Sequence, residues 1–191
     1  MNWLRTIDGS FAGVSGSIIE EGKEQSFDNT FIDATNFERD KYSLTGDKAE
    51  VYRTELIKKY QFPEYENEYF VTEDVCYQEI AAEGYKLRWY NTPIEKKTYL
   101  PDGLTKTGSN SLDGHLQNYK GYCYWIKRGL IVKPFSDKYW LLKSYLKTAK
   151  HKKNNIRQMA SDIDQPLPRF LLNILFVLPL SFLSHLIKKW R

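Results

Sequence analysis

Residues 69–76 read Tyr69-Phe70-Val71-Thr72-Glu73-Asp74-Val75-Cys76. An aromatic and aliphatic run ends in Thr-Glu-Asp, and a helix-like segment follows. The pattern therefore delivers two adjacent carboxylates to the junction between a buried segment and a helix N-terminus. Such a junction can hold a general base for a hydroxyl proton. The same letters also make a good helix start, with Thr72 as the cap and the acids complementing the helix dipole. The tripeptide alone favours the capping role, so the choice turns on what surrounds it.

Downstream, a helix capped by Thr72 is expected to run to Glu83 and close at Gly84. Tyr85, Leu87 and Trp89 alternate with Lys86, Arg88 and Tyr90, which predicts a half-buried strand. Asn91-Thr92-Pro93 reads as a turn, Ile94 to Leu100 as a further strand, and Pro101-Asp102-Gly103 as another turn. Upstream, residues 9–22 read as a strand with turns, with apolar runs at Phe11 to Val14 and Ser17 to Ile19. Residues 23–45 are polar and read as a long loop. Thr54 is positioned to cap a short helix from Glu55 to Tyr60, stopped by Pro63.

From Ser111 the spacing turns helical through Leu112, Leu116, Tyr119, Cys123 and Ile126, with Gly129 as the stop. Ser136 precedes another helix striped by Trp140, Leu141, Tyr145 and Leu146, which runs into the basic stretch from Lys147 to Arg157. The whole reads as an α/β fold followed by a helical C-terminal region. The expected division is 1–110, 111–160 and a tail, 161–191.

The 191 residues are enough for a real core, and 41% hydrophobic with 15% aromatic residues argues against disorder. The net charge of +4 is unevenly spread. Residues 1–140 carry 18 basic and 22 acidic side chains, whereas 141–191 carry 10 basic and 2 acidic. A basic tail suits an anionic surface. Cys76 and Cys123 lie in no CxxC or His-rich setting, so neither a disulfide scaffold nor a structural zinc site is expected, and a reducing cytoplasm suits both thiols. No signal peptide is read at the N-terminus.

Residues 170–187 are mostly Leu, Ile, Phe and Val, with Asn173, Ser181, Ser184 and His185 in one helical sector and Lys188, Lys189, Trp190 and Arg191 behind them. The segment is short for a span, is striped and contains Pro179. It reads as an amphipathic helix lying in a membrane interface, and the basic run before it adds attraction to anionic lipid. A terminal helix packed on protein is the other reading.

Beyond Glu73 and Asp74, a series of segments in order resembles the C-terminal part of family 2 glycosyltransferases of the bacterial polysaccharide class. It comprises Phe11-Ala12-Gly13-Val14-Ser15-Gly16, Ile32-Asp33-Ala34-Thr35-Asn36, Gly46-Asp47-Lys48-Ala49-Glu50-Val51-Tyr52-Arg53, Phe62-Pro63-Glu64, Glu68 to Asp74, Gly84-Tyr85-Lys86-Leu87-Arg88-Trp89 and Tyr99 to Thr105. Together they cover roughly residues 11–130. The resemblance implies the acceptor-side half of a GT-A fold and inverting transfer of a sugar from a nucleotide sugar to a glycan or lipid-linked acceptor, in polysaccharide or cell-envelope biosynthesis. It implies Asp74 as the catalytic base with Glu73 beside it. Gly46, Asp47 and Lys48 would then lie at the acceptor. A capping box, Asp47-x-x-Glu50, is the alternative for that segment.

The family's nucleotide-binding half and its Asp-x-Asp metal motif are not found upstream of Phe11. Asp162-Ile163-Asp164 has those letters but reads as a solvated linker, and His115 reads as a surface residue. The chain is thus expected to be a truncated or split form. A divalent metal, Mg or Mn, belongs to the full enzyme, and none is assigned to residues of this chain. The expected partners are a nucleotide sugar, an acceptor glycan or lipid-linked glycan, an anionic membrane surface on the inner face of the plasma membrane, and a chain supplying the missing half. The alternative is a non-catalytic membrane-docking or assembly protein derived from such an enzyme. Nucleic-acid binding is not expected, because no base-reading motif or stacking platform is apparent.

Overall fold

The computed structural model describes residues 3–20, 23–24, 29–60, 62–98 and 111–175. The chain forms two compact units: residues to Phe62 together with Glu73–Thr107, and Pro63–Thr72 together with the chain from Gly108 onward.

The first unit is a mixed α/β layer. Its strands are β1 (Phe11–Glu20), β2 (Lys23–Glu24), β3 (Phe31–Ala34), β4 (Lys48–Tyr52) and β5 (Lys86–Lys97). Strand β5 runs parallel to β1 along its whole length, from Phe11 opposite Lys86 to Glu20 opposite Lys97. One edge of β1 is thereby filled, so its antiparallel partners β4 and β2 share the other edge. They pair through residues 13–17 and 19–20 respectively. Strand β3 closes the far side of β5 antiparallel, with Phe31 opposite Tyr90 and Ala34 opposite Leu87. Every residue of β1 from Phe11 to Ile18 is buried, as a central strand covered on both faces requires. Helix α1 (Thr54–Lys59) follows β4, and α2 (Asp74–Ala82) precedes β5. Ala12, Ala34, Leu44, Ile80, Leu87 and Trp89 form the main core. The Trp89 indole N–H donates to the Ala34 carbonyl at 3.0 Å, so its one polar atom is satisfied.

Several expectations give way here. The loop read at 23–45 contains strand β3 and two single helical turns, Asn36–Glu38 and Asp40–Tyr42. The turn read at Asn91-Thr92-Pro93 is instead an irregularity inside β5: Trp89 pairs with Ser15 and Pro93 with Ser17, so three residues of β5 stand opposite one of β1. Proline is tolerated there because β3 pairs only with Leu87–Tyr90, so Pro93 faces no N–H-demanding partner on that side among the described residues. Arg53 and Glu73, not Thr54 and Thr72, hold the cap positions of α1 and α2, and neither Arg53 nor Glu73 makes a side-chain cap hydrogen bond. Gly84 does close the second helix, at φ +86°. Pro101-Asp102-Gly103 lies outside the described residues.

The second unit is helical: α3 (Leu112–Gln117), α4 (Tyr119–Val132), α5 (Phe135–His151), α6 (Ile156–Asp162) and α7 over residues 167–175. Its core holds Tyr119, Tyr122, Cys123, Ile126, Leu141, Leu142, Tyr145, Ile163 and Phe170. Ser111 caps α3, accepting from the Gly114 N–H at 3.1 Å. The expected stop at Gly129 fails; the glycine is buried within α4, which ends at Val132 because Pro134 forces Lys133 out of helical geometry, at ψ 156°. Asp162-Ile163-Asp164 is solvated at both aspartates, as read, but it is more than a linker. Ile163 is buried, and the Asp162 carboxylate accepts from the Tyr119 hydroxyl at 2.8 Å and from the Asn154 amide at 2.6 Å. Cys76 and Cys123 are both buried free thiols. Among the described residues no helix is long and apolar enough to cross a membrane. Most of the expected tail helix, residues 176–191, lies outside the described residues.

Candidate active site

The first unit gathers acidic and tyrosyl side chains where β4 meets the start of α2. Strand alternation puts Lys48, Glu50 and Tyr52 on one face of β4. That register removes the capping-box alternative for Asp47-x-x-Glu50, because Glu50 lies within a strand paired to β1 and not in a helix. The Tyr52 ring stacks on Tyr77 of α2 at 4.5 Å between centroids, and its hydroxyl accepts from the Asn36 amide at 3.2 Å.

Asp74 is the first residue of α2 and half-buried, and Glu73 before it is exposed. A carboxylate at a helix N-terminus is favoured by the unpaired N–H groups there. The Gln78 amide, one turn on, donates to Asp74 Oδ2 and fixes the carboxylate's orientation. Gln78 is itself buried, and its Oε1 has no partner among the described residues.

Glu50 is the acid that sequence reasoning missed. Its side chain is 13% exposed. Burial pushes its carboxyl up to about 7; Arg39 opposes the rise, while Glu73 and Asp47 add to it by like-charge repulsion. Glu50 thus shares its field with both sets of sequence-predicted residues, Glu73 of the base pair and Asp47 of the acceptor segment. Glu50, Glu73 and Asp74 act on Tyr77 in turn, whose hydroxyl is held up at about 12, mainly by burial. The alternation in Lys48-Ala49-Glu50-Val51-Tyr52 marks a strand, but its apolar residues Ala49 and Val51 point the pattern the other way, so Glu50 on the inner face gave no local signal.

The acceptor segment is less uniform than expected. Gly46 sits at φ +67°, a conformation glycine adopts without strain, and its carbonyl accepts from Arg39 Nη2. Asp47 is exposed and ion-paired to Lys97. Lys48 is turned inward: it is buried, its Nζ donates to the Thr45 carbonyl at 2.6 Å, and burial followed by Arg39 lowers its affinity for a proton. Arg39 organises this loop. It donates from Nε to the Leu44 carbonyl at 3.1 Å, lies 3.9 Å from Glu50, and covers the Trp89 ring at 5.2 Å.

The second unit has a shallow cleft of about 70 Å³ lined by Phe70, Val71, Thr72, His115, Tyr122 and Trp125. His115 stacks on Tyr122 at 4.1 Å and is half-buried, and burial lowers its proton affinity, so it is a packed ring and not the surface residue expected. Among the described residues, no group of three or more His, Cys, Asp or Glu side chains converges to hold a metal ion. The divalent metal implied by the resemblance is assigned to none of these residues.

A scan against protein-family models, a search of curated proteins and a search of solved structures each return no match for this chain.

Proposed function

We propose that this chain carries the acceptor-side part of an inverting glycosyltransferase, moving a sugar from a nucleotide sugar to the hydroxyl of a glycan or lipid-linked acceptor. The observation that supports it best is the placement of Asp74, held by Gln78 at a helix start, beside the stacked Tyr52–Tyr77 pair, which the largely covered Glu50 also faces. In this reading Asp74 takes the acceptor proton as the acceptor oxygen bonds to the anomeric carbon. The bond from that carbon to the nucleoside diphosphate breaks on the opposite face, and the leaving group departs with the electron pair. Glu73 and Glu50 set the local field, and the stacked tyrosines offer an aromatic wall beside the acid cluster. Gly46 and Asp47 would border the acceptor, with the inward-turned Lys48 supporting their loop. The nucleotide sugar would be bound chiefly by a nucleotide-binding half, with its divalent Mg or Mn, on another segment or a partner chain.

A peripheral place on the inner face of the plasma membrane belongs to the same proposal. Leu171, Leu172 and Leu175 of α7 are exposed at 43–63%, and they open the apolar tail read from the sequence.

Titration of the isotope-labelled protein with a polysaccharide-repeat oligosaccharide, followed by NMR, tests the acceptor reading. Shifts concentrated at Gly46, Asp47, Asp74 and Tyr77 are expected. Shifts absent there, with the protein binding only a membrane or another chain, would favour the non-catalytic assembly role.

A further inference from the structure

The cleft of about 70 Å³ in the second unit is built from three segments: residues 70–72, the start of α3 and one face of α4. Asn118, Gly121, Tyr122 and Trp125 recur at three- and four-residue spacing, so they share that face. The 70–72 segment is fixed against it. Asn118 accepts from the Phe70 N–H at 3.0 Å, and Gly121, without a side chain, lets Val71 lie close. The walls are therefore set by contacts within the protein.

Size, charge and ring geometry narrow what suits this cleft. A water needs about 10–15 Å³ of such space, so the cleft has room for roughly five to seven heavy atoms, one six-membered ring and not an acyl chain. Among the described residues no Asp, Glu, Lys or Arg side chain lines it, which suits an uncharged ligand. The Tyr122 and Trp125 rings are tilted by 37° with centroids 6.0 Å apart, an open corner and not the parallel slot that grips a flat base on both faces. A pyranose chair is thicker than a base. Its C–H hydrogens, polarised by neighbouring oxygens, are attracted to the negative face of an aromatic ring.

His115 adds a polar contact. Its imidazole is half-buried and stacked on Tyr122, and its ring nitrogens enter none of the hydrogen bonds among the described residues. Burial favours its uncharged form, which presents one donor and one acceptor, the complement of a sugar hydroxyl.

We propose that this cleft is a monosaccharide subsite, in which a neutral pyranose ring lays its C–H face on Trp125 and bonds His115 through a hydroxyl. The identity of that ring, a sugar unit of the acceptor glycan, rests on the acceptor reading above. Thr72, which lines the cleft, stands two residues before Asp74 in the chain.

Titration of the isotope-labelled full chain with the methyl glycosides of glucose, galactose and N-acetylglucosamine, followed by NMR, tests it, with cyclohexanol and uridine as comparison ligands. At least one glycoside should shift the Trp125 indole and His115 imidazole signals saturably. Trp125→Ala and His115→Ala should each weaken that binding about fivefold or more, and Trp125→Phe, which keeps an aromatic face, should weaken it less. Circular dichroism checks the fold of each variant. Glycoside shifts at Gly46, Asp47, Asp74 and Tyr77 with none at Trp125 or His115 would overturn the subsite and leave the acceptor reading standing. Shifts at none of these residues would overturn both. Cyclohexanol or uridine binding the cleft as tightly as the best glycoside would overturn the proposal and reassign the cleft to an apolar ligand or a nucleoside.

Discussion

The Glu68 carboxylate reaches the start of a helix more than fifty residues away: its two oxygens accept from the backbone N–H groups of Lys120 at 2.7 Å and of Gly121 at 2.8 Å. These are orphan donors of the first turn of α4, and Asn118, at the cap position, does not serve them with its own side chain. Asn118 is occupied instead with the extended segment, accepting from the N–H groups of Tyr69 at 2.9 Å and Phe70 at 3.0 Å. Residues 68–70 and the break between α3 and α4 therefore hold each other. Glu68→Ala should cost roughly 1–2 kcal/mol, as loss of a charged cap does. Urea unfolding followed by far-ultraviolet circular dichroism would show it, and an unchanged midpoint would contradict the role.

Gly121→Ala is expected to destabilise even though alanine is the better helix former by about 1 kcal/mol. An added Cβ would stand 2.9 Å from Val71 Cγ2 and 3.1 Å from the Phe70 carbonyl oxygen. Valine is stiff at that branch, and the Phe70 backbone is pinned by Asn118, so neither neighbour yields cheaply. A loss of about 1–3 kcal/mol is expected, in line with other overpacked sites. A gain in thermal midpoint would show that the segment is looser than described.

Glu50 gives the protein a pH-dependent stability. Its carboxyl rises from 4.5 to about 7 on folding, so the folded state holds the proton more tightly. The contribution is full below the unfolded value and is lost as pH climbs from about 4.5 through about 7. Glu50→Gln removes the buried charge, so the variant should be more stable than wild type at pH 8 by on the order of 1–3 kcal/mol, with the difference narrowing toward pH 4.5. Thermal melts of both proteins across this range check the sign. A wild type more stable than Glu50→Gln at pH 8 would mean that Arg39 and not burial governs the group.

Periodicity made much of this fold legible. The alternation at Tyr85, Leu87 and Trp89 marked β5, and the three- and four-residue spacing from Leu112 to Ile126 marked helical chain, though not the break at Asn118 that divides it into α3 and α4. Local punctuation was less informative. Pro93 and Gly129 read as breaks because isolated residues are scored by backbone preference alone, yet one sits where the neighbouring strand has ended and the other is packed in a helix core. The candidate site was half legible. Glu73 and Asp74 stood out as neighbours in sequence, whereas Glu50 acquires its shifted proton affinity only from burial and from acids contributed by other segments. No local pattern encodes that surrounding.

The central claim is that Asp74 removes the acceptor proton. The direct measurement is sugar transfer from labelled nucleotide sugars by the native polypeptide, isolated from its source cell with an antibody to residues 60–75, with and without Asp74→Asn. The substitution keeps the shape of the side chain and its contact with Gln78 while removing the base. Wild type should transfer with inversion at the anomeric carbon, and the variant should lose about 10²–10⁴-fold in turnover with its thermal midpoint little changed. Near-normal turnover in Asp74→Asn, or a product with retained configuration, would contradict the account.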